Sequence, residues 1–325
     1  MKNKIKRSFS IEGYLRENTL KVEVNEKGEY IRGKLTISTS KDEAHTVDYW
    51  VNHFKKDGTE NKAWTNMSAL IGAQTTASIF EANPQATYES AIASAAKVWA
   101  SGELEEYVSV GQNNQDVSYL TLKGSNAGVS NKVEGFDPHA RFELDCFIKS
   151  EMAPEIKDEE ETGRGLLNIV TVNDYNKCAH CFQLVVPTNF VSNIAEFPVN
   201  STVLLRGQII NLAKKTIIKA DTRNSFGDAG KDQITTEFVH ELLITGGNSN
   251  YLTEEEHPDT AFALADIREA MKNREEVRAK NAAKKAVSMA SSKPTPASPA
   301  PKKDWGASFG SAPAKDASVA DDFDF

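Results

Sequence analysis

Alternation with a period of two is the feature that most narrows what this chain can fold into. Across residues 30–38, Ile31, Leu35 and Ile37 fall on one face of an extended backbone, and Tyr30, Arg32, Lys34, Thr36 and Ser38 fall on the other. Residues 46–54 repeat the device. There Val47, Tyr49 and Val51 oppose Asp48, Trp50, Asn52 and Phe54, and Lys55-Lys56-Asp57-Gly58 closes the run as a turn. Half-buried strands accept this pattern and helices do not.

The rest of the chain supports a mainly β protein with α additions. Tyr88, Ala91, Ile92, Ala95, Val98 and Trp99 recur at helical spacing, which predicts a helix stopped by Gly102. Short strands are expected at 107–110 and 117–122, and the Gly-rich stretch 124–138 reads as a linker. Further strands are predicted at 142–149, 166–173, 181–186, 202–211, 216–220 and 236–244, with a helical turn at 189–197. Beyond Gly246-Gly247, residues 259–288 form a helix with a narrow stripe of Leu264, Ile267 and Met271; its later turns are basic and are expected to project into solvent. The expected organisation is a β domain over 1–130, a second over 131–250, a basic helical extension over 251–290, and a disordered linker with an acidic tip over 291–325. Five of the chain's 11 prolines fall after Ser291, among Ala, Ser and Gly, too little apolar area to offset the entropy of ordering.

Net charge is −8 over 325 residues, which argues at first against a polyanionic partner. Residues 151–161 contribute −5 and the last ten residues −4, so the remainder sums to about +1. The acidic run is expected to be a solvated loop, and the body keeps room for local basic patches. No apolar run is long enough to span a membrane, and three cysteines predict a reducing compartment, the cytoplasm. Cys178-Ala179-His180-Cys181 has the spacing of half a zinc site. No second paired motif accompanies it and the run leads into an apolar strand, so no metal or cofactor is expected. Phosphate-binding, dinucleotide-binding, nucleophile-elbow and zinc-protease motifs are missing from the sequence, which points away from an enzyme.

The residue types that remain suit a single-stranded nucleic acid: nucleobases stack on the rings, and Arg and Lys pair with phosphates. In the first β region the candidates are Tyr30, Arg32, Lys34, Trp50, Phe54, Lys55 and Lys56. In the second they are Tyr175, Phe182, Arg206, Lys214, Lys215, Lys219 and Arg223; residues 206–223 carry a local charge of +4.

The chain closes on Asp321-Asp322-Phe323-Asp324-Phe325, carboxylates around a terminal ring that can enter an apolar pocket with a basic rim. Here it resembles the single-stranded DNA-binding proteins of bacteria and phages, in which an OB-fold core is followed by a low-complexity linker and an acidic tip ending in Phe. Asp324 stands where the bacterial tip usually has proline. The resemblance implies tandem OB-fold-like barrels and sequence-tolerant single-stranded DNA binding in phage DNA replication or recombination, in the host cytoplasm. It also implies that the tip recruits replication or recombination proteins. The charge of the tip and the roughly 30–35 Å reach of a flexible 35-residue linker further lead to the expectation that the tip folds back on the empty groove. The alternative is a non-catalytic, protein-binding scaffold component of a phage assembly.

Overall fold

The alternation over residues 30–38 is realised as a strand, β3 (Gly28–Ser38), whose Ile31, Leu35 and Ile37 are fully buried. A computed structural model describes residues 5–26, 28–111, 115–132, 134–218 and 233–291, with backbone alone at 214–218, 233–235 and 286–291. The chain divides into two units, Met1–Ala283 and Lys284–Phe325, and every contact described below lies within the first.

Around β3 stand β1 (Arg7–Asn18), β2 (Lys21–Asn25) and β4 (Ala44–Asn52). Three short helices follow: α1 (Lys62–Ser68), α2 (Thr76–Ala82) and α3 (Tyr88–Ser94). Then come β5 (Lys97–Val110) and β6 (Asp116–Val129). The predicted helix therefore ends early. Val98, Trp99 and Gly102 belong to β5, which is paired along both edges, to β1 and to β6. Two ladders of backbone bonds outweigh the helical spacing of a few apolar residues. The expected linker also shrinks, to residues 130–138, because β6 runs through Gly124, where a Cβ would overlap the Tyr49 ring.

The second β region comprises β7 (His139–Ile148), β8 (Ala153–Lys157), β9 (Glu160–Val172), β10 (Ala179–Val186), β11 (Thr202–Ile218) and β12 (Gln233–Gly247). A 3-10 turn (Thr188–Phe190) and α4 (Val191–Ala195) separate β10 from β11. The acidic run is not a loop: it forms the β8–β9 hairpin, turned at Asp158 and Glu159, both with positive φ. The two strands expected at 202–211 and 216–220 are one, β11, and residues 219 and 220 lie outside the described residues.

The twelve strands of the described residues join one mixed sheet in the order β2-β3-β4-β6-β5-β1-β7-β11-β12-β10-β9-β8, with additional β3–β1 and β7–β9 pairings. Those two pairings close two rings. The first is β1-β3-β4-β6-β5 and back to β1, antiparallel except where β4 meets β6. The second is β7-β9-β10-β12-β11 and back to β7, antiparallel except where β10 meets β12. β1 and β7 pair directly, from Arg7 opposite Leu144 to Glu12 opposite His139, so the rings share a hydrogen-bonded seam.

A last helix, α5 (Leu264–Ser291), seats Ile267 and Ala270 in a buried cluster with Phe147, Val170, Val172 and Ala179 of the second ring, and Leu264 and Met271 pack beside them. Its basic turns do not all project into solvent. Arg274 donates through Nε (2.9 Å) and Nη2 (2.6 Å) to the Glu106 carboxylate of β5, Arg278 pairs with Asp116, and Asn281 donates to the Val108 carbonyl. The same Glu106 carboxylate accepts from Ser118 Oγ at 2.6 Å and from the Cys181 N–H at 2.8 Å. Burial pushes its pKa up, but these donors hold it below the usual carboxylate value.

Two buried histidines make stability sensitive to acid. His180, whose Nδ1 accepts the Glu106 N–H, and His45 are each lowered to about 4 by burial. A histidine depressed in the folded state binds its proton more tightly when unfolded, so stability is complete above about 6.5 and falls as pH drops toward 4. Each histidine is expected to cost up to about 3 kcal/mol over that window. Urea midpoints measured from pH 7 to pH 4 should fall, and His180→Gln should flatten the slope; a midpoint constant over that range would contradict the assignment.

Candidate nucleic-acid interface

β4 settles which residues face outward in the first ring: Val47, Tyr49 and Val51 are buried, while Trp50 is 56% exposed. The Trp50 ring lies on that of Tyr30, with centroids 4.4 Å apart and planes 13° from parallel. Tyr30 is itself only 7% exposed and donates its hydroxyl to Glu23 at 2.7 Å. It is therefore not an open stacking surface, as its place in the alternation suggested; it backs Trp50 and holds that ring flat. The other face of Trp50 is left uncovered, a flat π surface of the kind on which a planar ring can stack.

Phe54, 55% exposed, ends a second stack. His53 lies between Phe54 (4.3 Å) and the buried Trp64 of α1 (4.4 Å). Asn61 accepts the Ala63 N–H as the N-cap of α1 and so fixes Trp64 beneath His53. Trp50, Phe54, Lys55, Lys56 and Asn61 are among the residues that line an open groove of about 580 Å³, with Val51, Asn52, Gly124 and Ser125. Lys55 and Lys56 are exposed in the turn and make no salt bridge among the described residues.

Arg32 is the cross-strand neighbour of Trp50, and Lys34 that of Asp48. Arg32 reaches Glu23 at 3.4 Å; Lys34 (4.0 Å) and Lys123 (2.9 Å) share Asp48. The cationic ends of these pairs are exposed and the carboxylates half-buried, so each pair is worth little. Glu23 is held below the usual carboxylate pKa by the hydrogen bonds from Lys21 and Tyr30 and stays anionic beside Arg32.

Among the described residues, the second β region brings no matching cluster together. Phe182 is 7% exposed and belongs to the core, because β10 buries Phe182, Leu184 and Val186 on one face. Tyr175 is 90% exposed but stands alone in the turn between β9 and β10. Arg206 donates to Glu143 at 2.8 Å. Lys214 and Lys215 lie in β11 opposite Glu237 and Thr236, with only their backbone described. Lys219, Arg223 and the Asp321, Asp322, Phe323, Asp324 and Phe325 tip lie outside the described residues.

Other rings were not singled out by the sequence. Tyr107 and Tyr119 stack across β5 and β6 at 4.8 Å, and Phe238 lies parallel to His240 on β12 at 6.3 Å. The alternation in residues 117–122 could have marked Tyr119; Phe238 sits in a polar run that gives no such signal. Cys178 and Cys181 are spent on a bond to the Ala179 carbonyl and a contact with Met271 Sδ. Among the described residues no group of three or more His, Cys, Asp or Glu is placed to hold a metal ion, and no helix is long and apolar enough to cross a membrane.

The fold and the face together define a mainly β protein with one mixed sheet and an exposed, ring-bearing groove beside basic side chains. The family model described as YorF matches residues 6–284, and the chain belongs to the YorF family. No curated protein matches it. Among solved structures it is similar to the wild-type single-stranded DNA binding protein from Thermus aquaticus, at a TM-score of 0.40 and 9% identity over 76% of this chain and 93% of that one. A deletion mutant of the same protein aligns at 0.41 and 8% identity over 74% and 93%.

Proposed function

We propose that this chain is a sequence-tolerant single-stranded DNA-binding protein and that its two rings are OB-type barrels. The ring closure supports this reading. Numbered by order along the chain, leaving aside the edge strands β2 and β8, each ring runs first, second, third, fifth, fourth and back to the first. The third and fifth are parallel, and helix lies between the third and fourth. Barrels of this kind bind oligonucleotides on the face of the second and third strands, which in the first ring are β3 and β4. The observation that carries the reading is Trp50, a flat, half-exposed ring on that face, backed by Tyr30 and flanked by Arg32, Lys34, Lys55 and Lys56. The proposed role is non-catalytic. Phage replication or recombination, with partners recruited by the tip at Asp321 to Phe325, belongs to the same proposal.

The test is binding to oligo-dT at a series of salt concentrations. Each phosphate contact to a single strand adds about −0.7 to the slope of log K against log salt. Replacing Lys55 and Lys56 by Ala is expected to make the slope shallower by about 1.4. A scaffold component that binds only proteins would show no oligo-dT affinity at low salt.

A further inference from the structure

The second ring lacks the expected platform at Phe182, yet an exposed pair of parallel rings stands on β12. Phe238 is 60% exposed and its ring plane is 7° from that of the exposed His240. The sheet register ties this pair to the Trp50 face. Glu43, just before β4, forms an antiparallel bridge with Leu212 of β11, and Asn211 Nδ2 donates to the Ala44 carbonyl at 2.5 Å. Along β11 and β12, Asn211 stands opposite His240, Leu212 opposite Val239 and Ala213 opposite Phe238.

Directly opposed residues share a face and successive residues alternate. Glu43, Leu212 and Val239 therefore look toward the side of the buried His45, Val47 and Tyr49. Ala44, Asp48 and Trp50 share the other side with Ala213, Phe238 and His240. The exposed side of β4 thus continues, past residues 42–44, onto the end of the β11–β12 hairpin; further along β12 the same side carries the buried Leu242 and Ile244, so Phe238 and His240 stand where the second ring's inner face runs out beyond its core. With about 3.3 Å per residue along β4 and about 4.8 Å per strand, His240 lies roughly 22 Å and Phe238 roughly 28 Å from Trp50.

We infer that Phe238 and His240 form a second base-stacking platform, and that one single strand of nucleic acid runs from Trp50 across residues 42–44 to reach it. This inference rests on the Trp50 reading above. The occupant follows from continuity with that face and from its polar character: apart from Trp50, the β4 residues on it are Ala44, Thr46, Asp48 and Asn52, with Lys34 opposite Asp48.

The experiment compares oligo-dT of about 6 and about 20 nucleotides, since one barrel covers about 4–16. Phe238→Ala should weaken the longer oligonucleotide about tenfold or more and leave the shorter within about twofold, whereas Trp50→Ala should weaken both. Phe238→Leu keeps an apolar side chain without a ring face and should behave like Phe238→Ala. Wild-type affinity in Phe238→Leu, an unchanged longer complex in Phe238→Ala, or equal losses at both lengths would each overturn the second platform while leaving the Trp50 reading in place. If the unmodified protein binds neither oligonucleotide, the Trp50 reading fails first and this one with it.

Discussion

Trp50→Ala is expected to weaken oligo-dT binding by about 5- to 150-fold at fixed salt, the equivalent of one stacked base at about 1–3 kcal/mol. The size of the effect follows from how the ring is held. Trp50 does not have to be ordered on binding, because Tyr30 already lies against it at 4.4 Å and is itself anchored to Glu23. The entropy of fixing the side chain is spent in folding, not in association. The substitution should leave the fold intact, since Trp50 is more than half exposed and the buried face of β4 is carried by Val47, Tyr49 and Val51. Trp50→Phe should recover part of the loss. Fluorescence anisotropy of labelled dT gives the affinities, and an unchanged dissociation constant for Trp50→Ala, with an unchanged melting temperature, would remove the stacking role.

The largest stability effect is expected at Arg274. Arg274→Ala should cost about 3–5 kcal/mol, because it strips the main partner from a carboxylate that is almost wholly inside the protein. Glu106 draws donors from β6, β10 and α5 onto one side chain of β5, so it joins both rings and the helix. Removing the guanidinium leaves Ser118 and the Cys181 N–H to hold a buried charge by themselves. Glu106→Gln combined with Arg274→Met removes both charges and should cost clearly less than Arg274→Ala alone. Urea midpoints of the two variants decide the matter: equal losses would mean that lost packing, not the uncompensated charge, sets the cost.

How much of this was legible in the sequence depends on what each segment is covered by. β3 and β4 have one wet face, so their alternation gives both strand and orientation, and Trp50 could be placed from it. β10 buries most of its length, and its pattern does not tell Phe182 inside from Phe182 outside. The helix misplaced over Val98 and Trp99 reflects the same limit, for apolar residues along a strand paired on both edges also fit a spacing of three and four. The β8–β9 hairpin was hidden by charge: Glu155 pairs with Arg164, which also reaches Glu241, a partnership between strands that no local pattern announces. Phe238 was missed because its significance lies in the register with residues 42–44, a contact that spans most of the chain.

The seam between β1 and β7 has a mechanical consequence. Two barrels on a flexible tether would bind a strand as beads on a string, with a second contact whose strength depends on tether length. Barrels that share backbone hydrogen bonds from Arg7 to Glu12 instead act as a ruler. On the proposed reading, platforms on the two rings keep a set spacing, so a bound strand would have to bend or stretch to suit the protein.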